Sequence, residues 1–131
     1  MSLFKECIEA LGKYACITEK NIAEEILVKF DKDFPLTSWG RINWNEIEKS
    51  RIISSIEKII PMLQEEKKNT LGVVYIIGSD PKIPIIESKL DKILEFFDDV
   101  EAMSPNSWFY CPSDGWVVEV YHDGEITLGF I

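Results

Sequence analysis

The sequence predicts a single α+β domain over residues 1–131, in which a mixed or antiparallel sheet with a C-terminal β-meander packs against two to three amphipathic helices. Three observations predict this class. The chain has 131 residues, of which 46% are hydrophobic and 28% charged, and this composition suits one globular core. Apolar residues recur at helical spacing in several early and central segments. The C-terminal part instead consists of short apolar runs separated by turn sequences.

The first part of the chain predicts a helix followed by a strand. Ser2 is a suitable N-cap, and the residues after it form one apolar helical face: Leu3, Phe4, Cys7, Ile8, Leu11, Tyr14 and Ala15. Residues 24–31 alternate apolar and other side chains, which favours a strand. The stretch 33–40 contains Pro and Gly and predicts an irregular loop. Ile42 and Trp44 are then expected in a short extended piece.

The middle of the chain predicts a helix, a buried strand and a third helix. Ser54 or Ser55 caps the second helix, whose apolar side is Ile56, Ile59, Ile60 and Leu63. Residues 72–78 are rich in β-branched and aromatic side chains, as in a central strand buried on both faces. An Asp-Pro pair then starts a third helix over residues 81–97. With a strand over 99–104, this segment forms a right-handed parallel crossover.

The remaining strands form the meander, and their register follows from burial. Runs at 107–111, 116–121 and 125–131 are separated by turn sequences. A three-residue loop at 122–124, with Gly124 in the left-handed region, pairs apolar residues only with apolar residues. The expected pairs are Val120 with Ile126, Val118 with Leu128, Trp116 with Phe130, Cys111 with Trp116 and Phe109 with Val118.

The opposite face of this meander combines aromatic and acidic side chains: Trp108, Tyr110, Glu119, Tyr121 and Glu125. Aromatic residues with few lysines are typical of interface centres, so this face is a candidate interaction surface. The alternative is that the first helix covers the face. Trp108 and Tyr110 would then belong to a second core layer.

The charge is acidic and unevenly distributed. The chain carries a net charge of −9, and residues 93–131 contain eight acids and no Lys or Arg. Proteins that bind nucleic acid or anionic membranes need a basic face, so neither partner is expected. The acidic third is either a solvated surface or a docking face for a basic partner. Asp98 and Asp99 fall at the end of the predicted third helix, where the helix dipole disfavours acids.

The sequence offers no catalytic constellation, and we expect no enzyme activity and no catalytic, cofactor-binding or metal site. His122 is the single histidine and lies in a predicted turn. Three cysteines without a C-x-x-C motif lack ligand spacing and suit reduced thiols. We also find no signal peptide and no membrane-length apolar run, so the predicted location is the cytoplasm. A small enzyme that acts through paired carboxylates is a remaining rival.

Residues 34–44, with the sequence FPLTSWGRINW, resemble immunity proteins of bacterial contact-dependent growth inhibition (CDI) systems. The segments 75–80 (YIIGSD), Pro84 and 97–100 (FDDV) continue the resemblance in the same order, over roughly residues 24–131. The resemblance implies a small cytoplasmic protein that binds the C-terminal toxin domain of an effector delivered by a sibling cell. Such toxins are often nucleases, frequently RNases that act on tRNA. The family has no universal binding residues, so none is carried over.

The leading hypothesis is therefore an immunity protein that neutralises a basic nuclease by covering its active site. The alternative is a cytoplasmic adaptor or regulatory binding module with an acidic and aromatic interaction face. The expected toxin-binding residues are Glu119, Tyr121, Glu125, Asp123, Trp108, Tyr110, Asp98 and Asp99. If the aromatic residues of this set are packed under a helix, the loop between Trp39 and Trp44 is the alternative docking site.

Overall fold

The computed structural model describes residues 2–131. Within them the chain forms five α-helices and a seven-stranded sheet. The helices are α1 (Leu3–Leu11), α2 (Lys20–Asp33), α3 (Ile59–Glu65), α4 (Leu90–Glu95) and α5 (Phe97–Glu101). The strands are β1 (Cys16–Ile17), β2 (Lys49–Ile53), β3 (Val73–Gly78), β4 (Ile86–Lys89), β5 (Ser107–Cys111), β6 (Trp116–Val120) and β7 (Ile126–Phe130).

The strands form one sheet in the order β1-β4-β3-β5-β6-β7-β2, and every neighbouring pair is antiparallel. Strands β5, β6 and β7 are adjacent in sequence and in space, so the predicted α+β class and its C-terminal meander are confirmed. Strand β3 lies inside the sheet, between β4 and β5, as the apolar run at 72–78 predicts. The two edges are β1 and β2, which lie far apart in the sheet but both precede β3 in the chain.

One face of the sheet packs against α1, α3, α4 and α5. Their buried apolar residues meet strand residues such as Phe109, Val118 and Leu128 in the larger hydrophobic core. From α1 this core takes Cys7 and Leu11, and Phe4 and Ile8 pack at its margin. The predicted stripe is confirmed for Phe4, Cys7, Ile8 and Leu11, but Leu3 is exposed, and Tyr14 and Ala15 lie beyond the end of the helix. The helix itself ends at Leu11, because Gly12 adopts a positive φ of 57° that terminates helices readily.

The other face packs against α2 and the loop that follows it. Phe30, Phe34 and Ile42 from these segments meet strand side chains in a second, smaller core. The sheet contributes Ile77, Trp108, Tyr110 and Val117 to this core, and Ile85 joins it from the loop just before β4. The sheet therefore lies between two layers, and no broad face of the meander is left open.

The predicted hairpin register is correct. Val120 pairs with Ile126 and Val118 pairs with Leu128, across a turn in which Gly124 has a φ of 94°. The preceding hairpin also matches, since Phe109 pairs with Val118. The pairing succeeded as a prediction because a shift by one residue would move every apolar side chain to the opposite face.

The strand predicted over residues 24–31 is wrong, because this segment lies within helix α2. Ala23, Ile26 and Phe30 are spaced by three and four residues and face the sheet. Val28, which the alternating pattern placed beside Ile26 and Phe30, is 72% exposed on the far side of the helix. The recurrence of apolar residues at every second position was a coincidence, because the outer face of this amphipathic helix is also partly apolar.

The third helix predicted over 81–97 is also wrong in its first half. Pro84 cannot donate a helical hydrogen bond and its ring blocks the preceding turn, so residues 79–85 form a loop. Strand β4 follows, and Ile86 pairs with Ile76 of β3. The predicted strand over 99–104 is helix α5 in its first part. The parallel crossover is therefore absent, and the next strand, β5, pairs antiparallel with β3.

This correction changes the interpretation of Asp98 and Asp99. Both lie in the first turn of α5, where the helix dipole favours acidic side chains. Their position is therefore not an unfavourable one, and it no longer argues for a binding role.

Candidate functional site

A buried carboxylate organises the second face of the sheet. Glu119 of β6 has no solvent exposure, and four donors share its two oxygens. Oε1 accepts from Arg41 Nε at 2.7 Å and from Trp44 Nε1 at 3.1 Å. Oε2 accepts from the Ile42 backbone N–H at 2.8 Å and from Trp108 Nε1 at 3.1 Å. A buried charge is tolerated when it is paired and hydrogen-bonded in this way.

Arg41 extends this cluster to the surface. Its Nη2 donates to Glu125, and its guanidinium lies 4.6 Å from the centre of the Tyr121 ring, within the range of a cation–π contact. Burial by itself lowers the pKa of Arg41, but the hydrogen bonds to Glu125 and Glu119 outweigh it and raise that pKa. The Arg41 side chain remains 21% exposed. A fixed positive charge thus sits between one buried and one half-exposed carboxylate.

We call residues 35–43 the Trp39 loop, because the side chain of Trp39 lies at the tip of this loop. Leu36 and Ile42 form a β-bridge at its base. Thr37 N–H donates to the Arg41 carbonyl at 2.6 Å, and the Arg41 N–H donates to Thr37 Oγ1 at 3.2 Å. The turn closes with Gly40 at a φ of 81°, a value that glycine adopts without strain. The loop has hydrogen bonds across its base, and Trp39 points out with 67% of its surface exposed.

A second group of contacts supports the loop from the α2 side. The Phe30 ring packs 5.1 Å from the Tyr110 ring and 5.8 Å from Trp108, centre to centre. The Tyr110 hydroxyl donates to Asp33 of α2. Burial, and then the hydrogen bond and charge of Asp33, raise the pKa of Tyr110. These aromatic residues fix the helix over the sheet where the Trp39 loop begins.

The turn between β6 and β7 lies beside Arg41 and is held in place by its own hydrogen bonds. The Tyr121 ring stacks 4.1 Å from His122. The His122 backbone N–H donates to Asn106 Oδ1 at 2.8 Å, and its Nδ1 lies 3.1 Å from the same oxygen. Asp123 Oδ1 accepts from the Glu125 N–H at 2.9 Å. Tyr121, Asp123 and Glu125 therefore form a fixed, exposed or half-exposed rim.

The eight residues that the sequence predicted for toxin binding fall into three separate groups in the structure. Trp108, Tyr110 and Glu119 are buried, so the expectation that they line an open face is wrong. The cover is α2 and the Trp39 loop, and not the first helix. Tyr121, Asp123 and Glu125 come together at the β6–β7 turn.

Asp98 and Asp99 are exposed but lie in a different layer. They belong to α5, whose Val100 packs in the larger core on the opposite face of the sheet. The structure does not bring them into the cluster around Arg41.

Two residues of the cluster were missed as site residues by sequence reasoning. Arg41 and Trp39 lie inside the segment that carries the family resemblance, and that segment had been considered only as an alternative docking site. A signal was present, because an Arg between two Trp residues in a Gly-containing loop combines residue types that are enriched at binding hot spots. The partner of Arg41 is 78 positions away, and no local pattern could identify it.

The chemistry of this cluster is that of an ordered surface. The Glu119 carboxylate is fully occupied by donors, and Arg41 is engaged by two carboxylates. Neither presents a free base or nucleophile to a substrate. What reaches solvent is an indole, a guanidinium edge, a phenol ring and two carboxylates on rigid backbone. The fold and this cluster define a small α+β domain with an ordered surface that is partly aromatic and partly acidic.

Comparison with protein families identifies the family to which this domain belongs. The family model described as "CdiI immunity protein EcoliA0-like" matches residues 1–129. The chain belongs to this family of immunity proteins, as the resemblance in its sequence indicated. Family membership gives the chain an immunity function with a cognate toxin as partner, and it favours this function over both the adaptor alternative and the rival enzyme.

A second similarity is much narrower. The chain is 27% identical over 109 residues to the DNA-directed RNA polymerase subunit beta of Karelsulcia muelleri (strain GWSS). That match covers 76% of this chain but 7% of the polymerase subunit, so nothing of the polymerase's activity is transferred. Among residues 2–131, no helix is both long and apolar enough to span a membrane.

Proposed function

We propose that this chain neutralises a cognate toxin that is a nuclease, by covering the basic active site of the toxin with its own acidic surface. The supporting observation is the exposure of the acids in the last third of the chain. Glu119 is buried, whereas the other seven acids of residues 93–131 are exposed or half-exposed. These seven are Glu95, Asp98, Asp99, Glu101, Asp114, Asp123 and Glu125.

Opposite potentials explain why such a surface suits a nuclease. The active site of a nuclease must bind phosphates and is therefore cationic. An acidic partner is attracted to that site over distances of about a Debye length, which accelerates association and weakens as salt is added. Residues 93–131 carry no Lys or Arg. Arg41 and Lys92 from other segments pair with Glu125 and Glu95, so the exposed acids Asp98, Asp99 and Asp123 contribute most to the attraction.

The β6–β7 turn is the part of this surface that we assign to the toxin. Tyr121, Asp123 and Glu125 combine an aromatic ring with two carboxylates on a turn that is held by Asn106. Asp98 and Asp99, in the layer on the opposite face of the sheet, act as additional charges that steer the toxin. We place the encounter in the cytoplasm. The three cysteines are free thiols, as is usual in a reducing compartment.

The test uses charge reversal at one exposed acid of the turn. Asp123→Lys should reduce the association rate for the toxin domain encoded beside this chain by about 10-fold at low salt, and by less at high salt. The matched control is Asp31→Lys, which makes the same charge change at an exposed position of α2. The measurement is stopped-flow or surface-based association kinetics, together with inhibition of the toxin's nuclease activity on RNA and DNA.

Two outcomes would contradict the proposal. If both reversals slow association equally, only the net charge matters and the turn is not the docking surface. If the toxin domain binds but has no nuclease activity, the active-site part of the proposal is wrong.

A further inference from the structure

Trp39 differs from the other three tryptophans of the chain. Trp108 and Trp116 are buried and Trp44 is half-buried, but Trp39 is 67% exposed. Exposing an indole places a large apolar area in water, and in the described part of the chain nothing covers it. Trp is also the residue type most enriched among those that dominate binding energy at interfaces. The residue type and exposure of Trp39 therefore make it a candidate contact for a partner.

The loop that carries Trp39 is ordered before any partner arrives. The Asn43 N–H donates to the Pro35 carbonyl at 2.8 Å, and Leu36 and Ile42 bridge one step further out. Arg41 connects the loop to the buried carboxylate of Glu119. A binding segment that is already rigid loses little entropy on association, so more of its contact energy appears as affinity.

The surroundings of Trp39 indicate what kind of partner fits it. Arg41, two residues along the chain, contacts the Tyr121 ring, and Glu125 and Asp123 lie at the same turn. This region thus combines an exposed apolar side chain, Trp39, with an acidic rim to which Arg41 joins the Trp39 loop. Its complement is a pocket for an indole, bordered by Lys or Arg side chains.

We propose that Trp39 is the anchor residue of the toxin interface and inserts into an apolar pocket beside the basic active site of the toxin. We further assign to Glu119 a positioning role. It is buried and so cannot touch the toxin directly, but through Arg41 and the Ile42 N–H it holds the Trp39 loop in its binding conformation. The inference rests on the proposed function, because it assumes that the partner is a basic toxin domain.

The first experiment truncates the anchor. Trp39→Ala should weaken binding to the toxin domain encoded beside this chain by about 30-fold or more, chiefly through faster dissociation. The melting temperature should not change, because the side chain is exposed. Leu71→Ala is the matched control, since Leu71 is another highly exposed apolar residue, at 78%, and lies outside the loop. Its affinity should equal that of the parent chain.

The outcomes separate this inference from the proposed function. If the parent chain binds and inhibits the toxin while Trp39→Ala binds equally well, the anchor is wrong and the proposed function stands. If the parent chain itself binds no nuclease toxin, the proposed function fails, and the inference fails with it. A shift in association rate alone, with unchanged dissociation, also contradicts an anchor role.

The second experiment tests the positioning role with a double-mutant cycle. Glu119→Gln should weaken toxin binding by about 10-fold in the parent chain, yet by less than about 2-fold in the Trp39→Ala background, because the two residues act through one loop. Arg41→Gln, at the edge of the cluster, repeats the cycle if Glu119→Gln unfolds the protein. A general loss of structure would reduce affinity by the same factor in the parent chain and in the Trp39→Ala background. If the second substitution has this additive effect in the cycle that is measured, the positioning role is wrong.

Discussion

Arg41 Nε donates to Glu119 Oε1 across 2.7 Å, although the two residues lie 78 positions apart in the chain. The bond joins the loop after α2 to the middle strand of the C-terminal meander. Trp44 and Trp108 donate to the same carboxylate from either side. One acidic side chain thus fixes the position of the loop relative to the sheet, which explains why a charge is retained in an otherwise apolar layer.

Removing that carboxylate should destabilise the protein strongly. Glu119→Ala leaves the Arg41 guanidinium without its buried partner and two indole N–H groups without acceptors. Breaking a buried pair in this way costs about 3–5 kcal/mol, measured as the free energy of unfolding in urea. Glu48→Ala is the control, because Glu48 is exposed and its loss should cost under about 0.5 kcal/mol. A loss for Glu119→Ala as small as that of the control would contradict the organising role of Glu119.

Gly129 of β7 should not tolerate a methyl group. A Cβ at this position would lie 2.6 Å from Trp44 Cζ3 and 3.3 Å from Phe34 Cε1, so the Trp44 ring has to move. Overpacking of this kind costs about 1–3 kcal/mol, and the shift should appear in the near-ultraviolet circular dichroism of the tryptophans. Gly72→Ala provides the comparison, because its Cβ would meet its nearest neighbour at an ordinary 3.5 Å. Equal stability of the two variants would show that the close packing of Trp44 on β7 is not required.

Helix α1 should contribute to stability through its buried stripe. Leu11 is buried in the larger core, and Leu11→Ala should lower the free energy of unfolding by about 2–5 kcal/mol. Leu3→Ala makes the same chemical change at an exposed position of the same helix and should have little effect. Chemical denaturation of both variants distinguishes packing from helix propensity. If both variants lose the same amount, the effect comes from the helix backbone and not from the core.

Stability should fall at alkaline pH because of Cys7. Burial, followed by the charge of Asp99, raises the pKa of this thiol from 9.0 to about 11. Between these values the unfolded chain loses the proton and the folded chain keeps it, so the free energy of unfolding decreases as the pH rises. The measurement is urea denaturation at several pH values across this window. Cys7→Ala lacks the thiol and should show a shallower decline, and parallel curves would contradict the assignment.

The meander was predictable from sequence because burial and register are coupled there. Of a two-residue and a three-residue loop, only the three-residue loop places Val118, Val120, Ile126 and Leu128 on the same face, and the structure has that loop. The first helix was predictable for a similar reason, since Phe4, Cys7, Ile8 and Leu11 form one stripe after an N-cap at Ser2. In both cases the deciding information lies within a few residues of the element.

The errors arose where the deciding contact is distant. Helix α2 carries the exposed apolar residues Leu27 and Val28. Because Val28 lies between Ile26 and Phe30 in the sequence, the apolar residues seemed to recur at every second position, as in a strand. Glu119 was predicted to be an exposed acid because its neighbours Val118 and Val120 face the core, which places Glu119 on the opposite face of the strand. Its donors Arg41 and Trp44 come from another part of the chain, and no local rule reveals that a loop will cover it.

The pairing of β2 with β7 has a consequence for when a newly made copy can protect its cell. Lys49 of β2 lies opposite Phe130 of β7, and the Trp39 loop likewise depends on a residue of β6. Ribosomes synthesise the N-terminal part first, and contacts between distant segments cannot form until both have emerged. A chain stopped before β7 lacks the strand that β2 requires, so the sheet of each copy is completed only after β7 has been synthesised.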